Sequence, residues 1–245
     1  MKLHILVIVA HPDDAELSCA GTILSHIAKG YSVGVIDLTE GELGSRGTIY
    51  TRRQEAAEAA KILGLSIREN LQMADGFFEN DKVHQLQVIK AIRKYKPEIV
   101  ITNAYKDRHP DHSKAGELVK TAAFLSGLRK VETLDEHGKP QEAWRPAQVF
   151  QAIQSENIIP DFVIDITPFW ERKMEAILAF KTQFYHPTTN EGVQTFISSP
   201  AFLSFLEARA RELGQIVGVQ YAEGFTKTKQ LLVDDLFEIT PKSHL

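Results

Sequence analysis

The chain has 245 residues, 43% of them hydrophobic and 24% charged, with a formal net charge of -4. The acidic excess excludes the basic face that a nucleic-acid binder needs, and the single cysteine, Cys19, excludes an internal disulfide and a multi-cysteine zinc site and suits a reducing cytoplasm. A chain this long buries about 70% of its unfolded surface and needs no metal to hold a core, so a metal here is expected to be catalytic.

Residues 3–10 are rich in Ile and Val and read as a strand buried on both faces, as in a parallel sheet. The run is far too short to span a bilayer. It ends in charge rather than in a small-residue cleavage site, so it is not read as a signal peptide, and a cytoplasmic protein is expected. After the turn His11-Pro12-Asp13-Asp14, Leu17, Ala20, Leu24 and Ile27 recur at helical spacing over residues 15–29, with Gly30 to end the helix. Residues 31–39 read as a second strand, which completes a right-handed βαβ unit. A glycine-rich loop covers residues 40–48. The alanine-rich stretch 52–63 predicts a helix closed by Gly64, and a third strand is expected within 66–73.

A helix is predicted over 81–94 and a clear strand over 97–103, with 104–112 as its exit loop and a helix over 113–125. Residues 147–153 and 162–166 read as further strands. Thr167-Pro168 looks like an N-cap followed by proline at the first helical position, opening a helix to about Phe184. A polar loop over 185–199 and a long helix over 200–213 follow. Strands alternating with helices predict an α/β architecture, a single Rossmann-like domain over residues 1–245 with a mostly parallel sheet and helices on both faces. Residues beyond about 130 are expected to extend it at one end.

Ligands of open parallel sheets bind at the carboxyl ends of the strands. His11-Pro12-Asp13-Asp14 leaves the first strand, and Asp107-Arg108-His109-Pro110-Asp111-His112 leaves the strand near residue 100. Two histidines and one aspartate suit an open zinc site with water in the fourth position. His11 and Asp14, three apart on a first helical turn, can face one point, and His112 closes the set from the second loop. Asp13, beside the metal but not needed as a ligand, is a candidate general base. His109 is the complementary candidate for an oxyanion or a leaving amine, and Asp111 can pair with it and hold the imidazolium. These parts describe metal-assisted hydrolysis of an amide or ester.

The glycine loop lacks the Lys-Ser/Thr ending of a P-loop and follows the second strand rather than the first, so it is not a nucleotide fingerprint. It suits close approach of backbone to a sugar. Arg46, Arg52 and Arg53 beside it suggest an anionic or polyhydroxyl substrate group. His4, His26, His84, His137 and His244 read as ordinary strand, helix-surface or loop residues, His186 as a loop residue and Cys19 as packing.

With its "AHPDDAE", "RHPDH", "DLTEGELGSRGT", "RRQEAAEAAKILG" and "YAEGF" segments, the sequence resembles the PIG-L/LmbE-like family of zinc-dependent N-acetylglucosaminyl deacetylases over nearly its whole length. The loop 37–48 with the arginine helix looks like the branch that deacetylates N-acetylglucosaminyl-malate in bacillithiol biosynthesis. The resemblance implies zinc on His11, Asp14 and His112, with Asp13 as base, His109 as acid and oxyanion partner, and Asp111 orienting it. It implies Arg52 on sugar hydroxyls or an aglycone carboxylate, with Arg46 nearby. A tyrosine assists the oxyanion in some relatives; Tyr105, Tyr185 and Tyr221 are the candidates here, since 188–197 has none. The expected substrate is a small acetylated amino sugar, with neither nucleic acid nor membrane as partner. A homo-oligomer is implied, a hexamer among the forms it allows. His₂Asp also suits Fe²⁺ or another divalent metal. The same chemistry on chitobiose or a secondary-metabolite glycoside stays open, as does a non-catalytic sugar- or metal-binding protein.

Overall fold

The computed structural model describes residues 1–185 and 193–239. Alternation along β1 (Ile5–Val9) builds both sides of the core. Ile5, Val7 and Val9 pack with Ala15, Cys19, Ala20 and Ile23 of α1 (Asp14–Ala28). Leu6 and Ile8 join Val88, Ile89 and Ile92 of α3 (Lys82–Tyr95) and Leu118 and Val119 of α4 (Pro110–Leu125). Successive strand side chains point to opposite faces, so a strand covered by helices on both faces reads as one continuous apolar run.

The other elements are β2 (Val33–Thr39), α2 (Ile49–Leu63), β3 (Ile67–Met73), β4 (Ile99–Asn103), β5 (Gln148–Ala152), β6 (Phe162–Asp165), α5 (Trp170–Leu178), α6 (Pro200–Val217) and β7 (Ala222–Lys227). They form a seven-stranded sheet in the order β3-β2-β1-β4-β5-β7-β6. The first five in that order run parallel, as expected. The chain winds outward from β1 through β2 to β3, then crosses back to pair β4 with the other side of β1. The reversal lies between β1 and β4, where a doubly wound sheet opens a crevice at its carboxyl edge. Both His/Asp motifs leave strands at that crevice.

Several elements differ from the sequence reading. α4 begins at Pro110, so Asp111 and His112 ride on a first helical turn rather than in a loop. The helix expected from Thr167 to Phe184 is a 3₁₀ turn at Thr167–Phe169 followed by α5, which ends at Leu178. Thr167 does not cap it; its hydroxyl accepts the Tyr221 N–H at 3.1 Å. The segment with Tyr221 leads into β7, a strand the sequence reading lacks, which runs antiparallel to both β5 and β6. α2 also starts earlier than expected, because Thr48 and Thr51 exchange side-chain and backbone hydrogen bonds as a capping box. Gly64 ends it in the left-handed region at φ 76°, as expected. No helix among the described residues is long and apolar enough to cross a membrane.

Candidate metal and catalytic site

Asp14 is the meeting point of the two motifs. It opens α1 immediately after β1 and is buried at 1% exposure. Its Oδ2 accepts the His11 N–H at 3.0 Å and Asn103 Nδ2 at 3.2 Å, while Oδ1 accepts Gln154 Nε2 at 3.0 Å. His112 Nε2 lies 3.0 Å from Oδ1, and His11 Nδ1 lies 3.5 Å from Oδ2. Burial pushes the Asp14 carboxyl up, but the adjacent imidazoles of His112 and His11 outweigh it and hold the group well below the usual range.

Each of the two imidazoles has its other nitrogen held by a carboxylate. His11 Nε2 meets Asp75 Oδ1 at 2.9 Å, with Asp111 Oδ2 at 3.4 Å. His112 Nδ1 meets Asp107 Oδ1 at 2.8 Å. Metal-ligating histidines are oriented in this way, with the far nitrogen fixed by an acid and the near nitrogen left as ligand. Here the near nitrogens, His11 Nδ1 and His112 Nε2, both face Asp14. Burial alone would lower the affinity of these rings for a proton. The surrounding carboxylates prevail, raising His112 to about 9 and His11 well above its ordinary value. A site that stabilises positive charge this strongly suits a cation. Among the described residues, the groups whose ligand atoms all lie within 4.8 Å of one another are His11–His109–His112 and His11–Asp75–Asp111. In the second, His11 Nε2 is already hydrogen-bonded to Asp75, so that group reads as the support of the ring rather than as a separate ligand set.

Asp13 is the N-cap residue of α1 and sits at φ 134°, a region that costs a non-glycine residue about 1–3 kcal/mol. Packing must hold it there, and Arg52 does so from α2. Arg52 Nη2 donates to Asp13 Oδ2 at 3.1 Å and to the Pro12 carbonyl at 2.6 Å. Burial raises the Asp13 carboxyl to about 7 despite the pull of Arg52. The glycine loop serves this arginine: a side chain at Gly41 would meet Arg52 Nη1 at 2.5 Å. The loop's close approach is thus at least partly to Arg52 rather than to a ligand.

His109 caps α4, and its Nδ1 accepts the Asp111 backbone N–H at 3.3 Å. A neutral ring so bonded carries its proton on Nε2. Burial and the nearby His11 and His112 lower its pKa. The expected carboxylate pairing of Asp111 with His109 is not made. The Asp111 carboxylate turns to His11 and to the Gly76 N–H at 2.8 Å, and its pKa is pushed to about 2 because these contacts overcome burial. It is the Asp111 backbone, not its side chain, that orients His109.

His11, Asp13, Asp14, His109 and His112 line a cleft of about 530 Å³, with Leu17, Phe196, Ile197 and Phe202 as an apolar wall. Arg46 and Arg52 both reach it, but each donates to the protein. Arg46 bonds the Thr182 carbonyl at 2.6 Å and the Val193 carbonyl at 3.0 Å. Arg108 lies at the cleft with its guanidinium 4.7 Å from the Phe196 ring centre. Of the candidate tyrosines, Tyr221 stacks on Trp170, and neither it, Tyr105 nor Tyr185 lines the cleft. His4, His26, His84 and His137 also lie outside it, while His186 and His244 fall outside the described residues. A larger cavity of about 730 Å³, beside β3 and α3, brings no such donor set together. Sequence reasoning misses Asp75, Asp107 and Gln154. Asp107 stands inside a quoted cluster, but Asp75 and Gln154 belong to turns after β3 and β5 with no motif around them.

Residues 6–123 match the family model described as PIG-L, GlcNAc-PI de-N-acetylase. An uncharacterized deacetylase of Escherichia coli, YaiS, is 35% identical over 62% of this chain and 83% of its own. A probable N-acetyl-alpha-D-glucosaminyl L-malate deacetylase 2 of Bacillus subtilis is 29% identical over 75% of this chain and 84% of its own. The 4-oxalmesaconate hydratase of Pseudomonas putida is 25% identical over 94% and 91%. Among solved structures, the conserved protein TT1542 of Thermus thermophilus superposes with a TM-score of 0.84 at 34% identity, covering 99% of this chain and all of that one.

Proposed function

Because the chain belongs to the PIG-L de-N-acetylase family, we propose that it is a zinc-dependent hydrolase that removes the acetyl group from the amino nitrogen of an N-acetylglucosamine conjugate. The observation that carries this reading is the convergence of two carboxylate-braced imidazoles on Asp14, beside a buried Asp13 whose Oδ2 is held by Arg52. His11 Nδ1, Asp14 and His112 Nε2 would hold the metal; Fe²⁺ or another divalent ion fits the same donors. When bound, the metal supplies Lewis acidity and lowers the pKa of water in its shell to about 7.

Asp13 does the proton work. Its carboxylate, buried beside the residues that would hold the metal, accepts a proton from the attacking water and returns it. Arg52 holds one carboxylate oxygen, which leaves Oδ1 for this task. His109, with Nδ1 occupied by a backbone amide, directs its Nε2–H to the acetyl oxygen as negative charge develops there. Water oxygen bonds to the acetyl carbon, the carbon–nitrogen bond breaks, and the proton held by Asp13 passes to the departing amine. Acetate and the free amino sugar result. Arg52 thus orients the base, and Arg46 ties the glycine loop to residues 182 and 193.

We take the substrate to be N-acetyl-alpha-D-glucosaminyl L-malate, by similarity to the Bacillus relatives. We assign the malate carboxylates to Arg108, which lines the cleft beside Phe196. The reading includes one catalytic domain over residues 1–245, a homo-oligomer and a cytoplasmic site of action. Acetate release from the malate conjugate, from diacetylchitobiose and from plain N-acetylglucosamine, with and without chelator, tests it. Activity on the malate conjugate that chelation abolishes and zinc restores is expected. If the metal-loaded protein spares every acetylated sugar and hydrates 4-oxalmesaconate, the deacetylase reading is wrong.

A further inference from the structure

Helix α1 is broken in the middle. Cys19 sits at φ -147°, ψ 19°, so the residues before and after it belong to two helical segments meeting at a kink. A break of this kind frees carbonyls at the end of the first segment and amides at the start of the second. Both ends are met by one ion pair from the far half of the chain. Lys173 Nζ, on α5, donates to the Leu17 carbonyl at 2.9 Å and to Glu223 Oε1 at 2.6 Å. Glu223, on β7, accepts the Gly21 N–H at 2.9 Å and the Thr22 N–H at 2.7 Å. Lys173 and Glu223 are each 4% exposed.

The polarity matches the helix dipoles: the cation lies on a carbonyl end and the anion on an amide end. Backbone proximity reinforces the joint, since a side chain at Gly21 would come within 2.5 Å of Ile166. Stability alone does not account for such a pair, because apolar replacements of buried ion pairs are often neutral or stabilising. What the pair does hold is direction. The segment before the break is one short turn that carries Asp14, with Asp13 at its cap, and the segment after it is packed into the core.

We infer that Lys173 and Glu223 are positioning residues for the metal site: they splint the break in α1 and aim its first turn at His11 and His112. This role rests on the metal reading of the site. It also gives the "YAEGF" segment a function, since Glu223 is its acid.

The test uses the full chain as Lys173→Met and Glu223→Gln, with two readouts. In metal-stripped protein, amide hydrogen exchange over residues 13–22 is expected to quicken about tenfold while the sheet keeps its protection. Zinc affinity, measured by competition with a chromophoric chelator, is expected to fall about 10–100-fold in variants that still unfold cooperatively. Unchanged exchange over residues 13–22 in a folded variant overturns the inference. So does looser exchange with wild-type zinc affinity, since a merely structural pair would lower the melting midpoint and leave the metal alone. If the wild-type chain itself binds no zinc, the metal reading fails and the exchange data still decide whether the splint exists. Should Lys173→Met not fold, the double variant Lys173→Met/Glu223→Gln, which leaves no unpaired buried charge, is measured in its place.

Discussion

Two buried charge clusters share the first turn of α1, and they are built to opposite ends. On one side Glu16 and Asp37 close on Arg68, whose guanidinium donates to Glu16 Oε1 at 2.6 Å and to the two Asp37 oxygens at 2.9 and 3.0 Å. The cation of this cluster is permanent and its fork is saturated, which makes it a structural joint. On the other side Asp13, Asp14, Asp75, Asp107 and Asp111 surround three imidazoles, with Arg52 as the fixed cation in contact with Asp13. There, apart from Lys114 at 3.6 Å from Asp111 Oδ1, the remaining positive charge sits on imidazoles that can give up a proton and take a metal. An Asp or Glu in this fold is therefore read by the whole cluster it joins: two acids on one saturated guanidinium mark architecture, and acids gathered around exchangeable imidazoles mark chemistry.

The largest effect that could break this contrast is at Asp13. Asp13→Asn is expected to lower kcat by about 10²–10⁴ while zinc affinity holds; steady-state kinetics beside a chelator titration would check it, and loss of the metal would show that Asp13 is a ligand instead. Arg68→Met should act on stability alone. It leaves two carboxylates buried without their cation, a loss of about 3–5 kcal/mol in urea unfolding at pH 7. Glu16 is already raised by burial against the pull of Arg68, and without Arg68 it rises further. A carboxyl raised in the folded state contributes stability below its unfolded pKa that is lost as pH increases. The deficit of the variant should therefore shrink as pH falls from 7 toward 5, and a gap that widens on acidification would reject the structural role.

Asp107→Asn tests the bracing of the imidazoles. Zinc affinity should drop about 10–100-fold with little change in melting midpoint, as seen by competition and thermal unfolding. The smallest effect is expected at the cleft mouth. Arg108→Ala should raise KM for the malate conjugate about tenfold, on the scale of one hydrogen bond to a charged group, and leave KM for diacetylchitobiose unchanged. Equal effects on both substrates would remove Arg108 from aglycone recognition.

Much of the frame is legible from residues. Ile/Val-rich runs name β1 as a strand buried on both faces and β4 as a clear strand. The two His/Asp motifs can therefore be placed at carboxyl ends of parallel strands from the sequence, while the pairing of β1 with β4 that sets them side by side comes from the tertiary structure. β7 is not legible, because "YAEGF" mixes a glycine and an acid into an apolar strand. The reason is Glu223, whose carboxylate is needed against α1. The break at Cys19 is hidden for a related cause: helical spacing continues through it, while the partners that meet its freed groups stand 156 and 201 positions away. Arg52 reads as facing substrate, a fair inference for an arginine beside a glycine loop; it does line the cleft, and what the sequence does not show is that its Nη2 is engaged by Asp13 and Pro12.

By itself the sequence determined where most strands and helices lie, which residue types gather at the carboxyl ends of two strands and which chemistry those types can perform, since these follow from local periodicity and from side-chain inventory. Only the tertiary structure decided which nitrogen of each histidine faces inward, which carboxylate braces it, and which arginine is already engaged. Those are questions of hydrogen-bond partnership between segments far apart in the chain. A buried polar group takes whatever partner the packing brings within reach, and no local pattern records which partner that is.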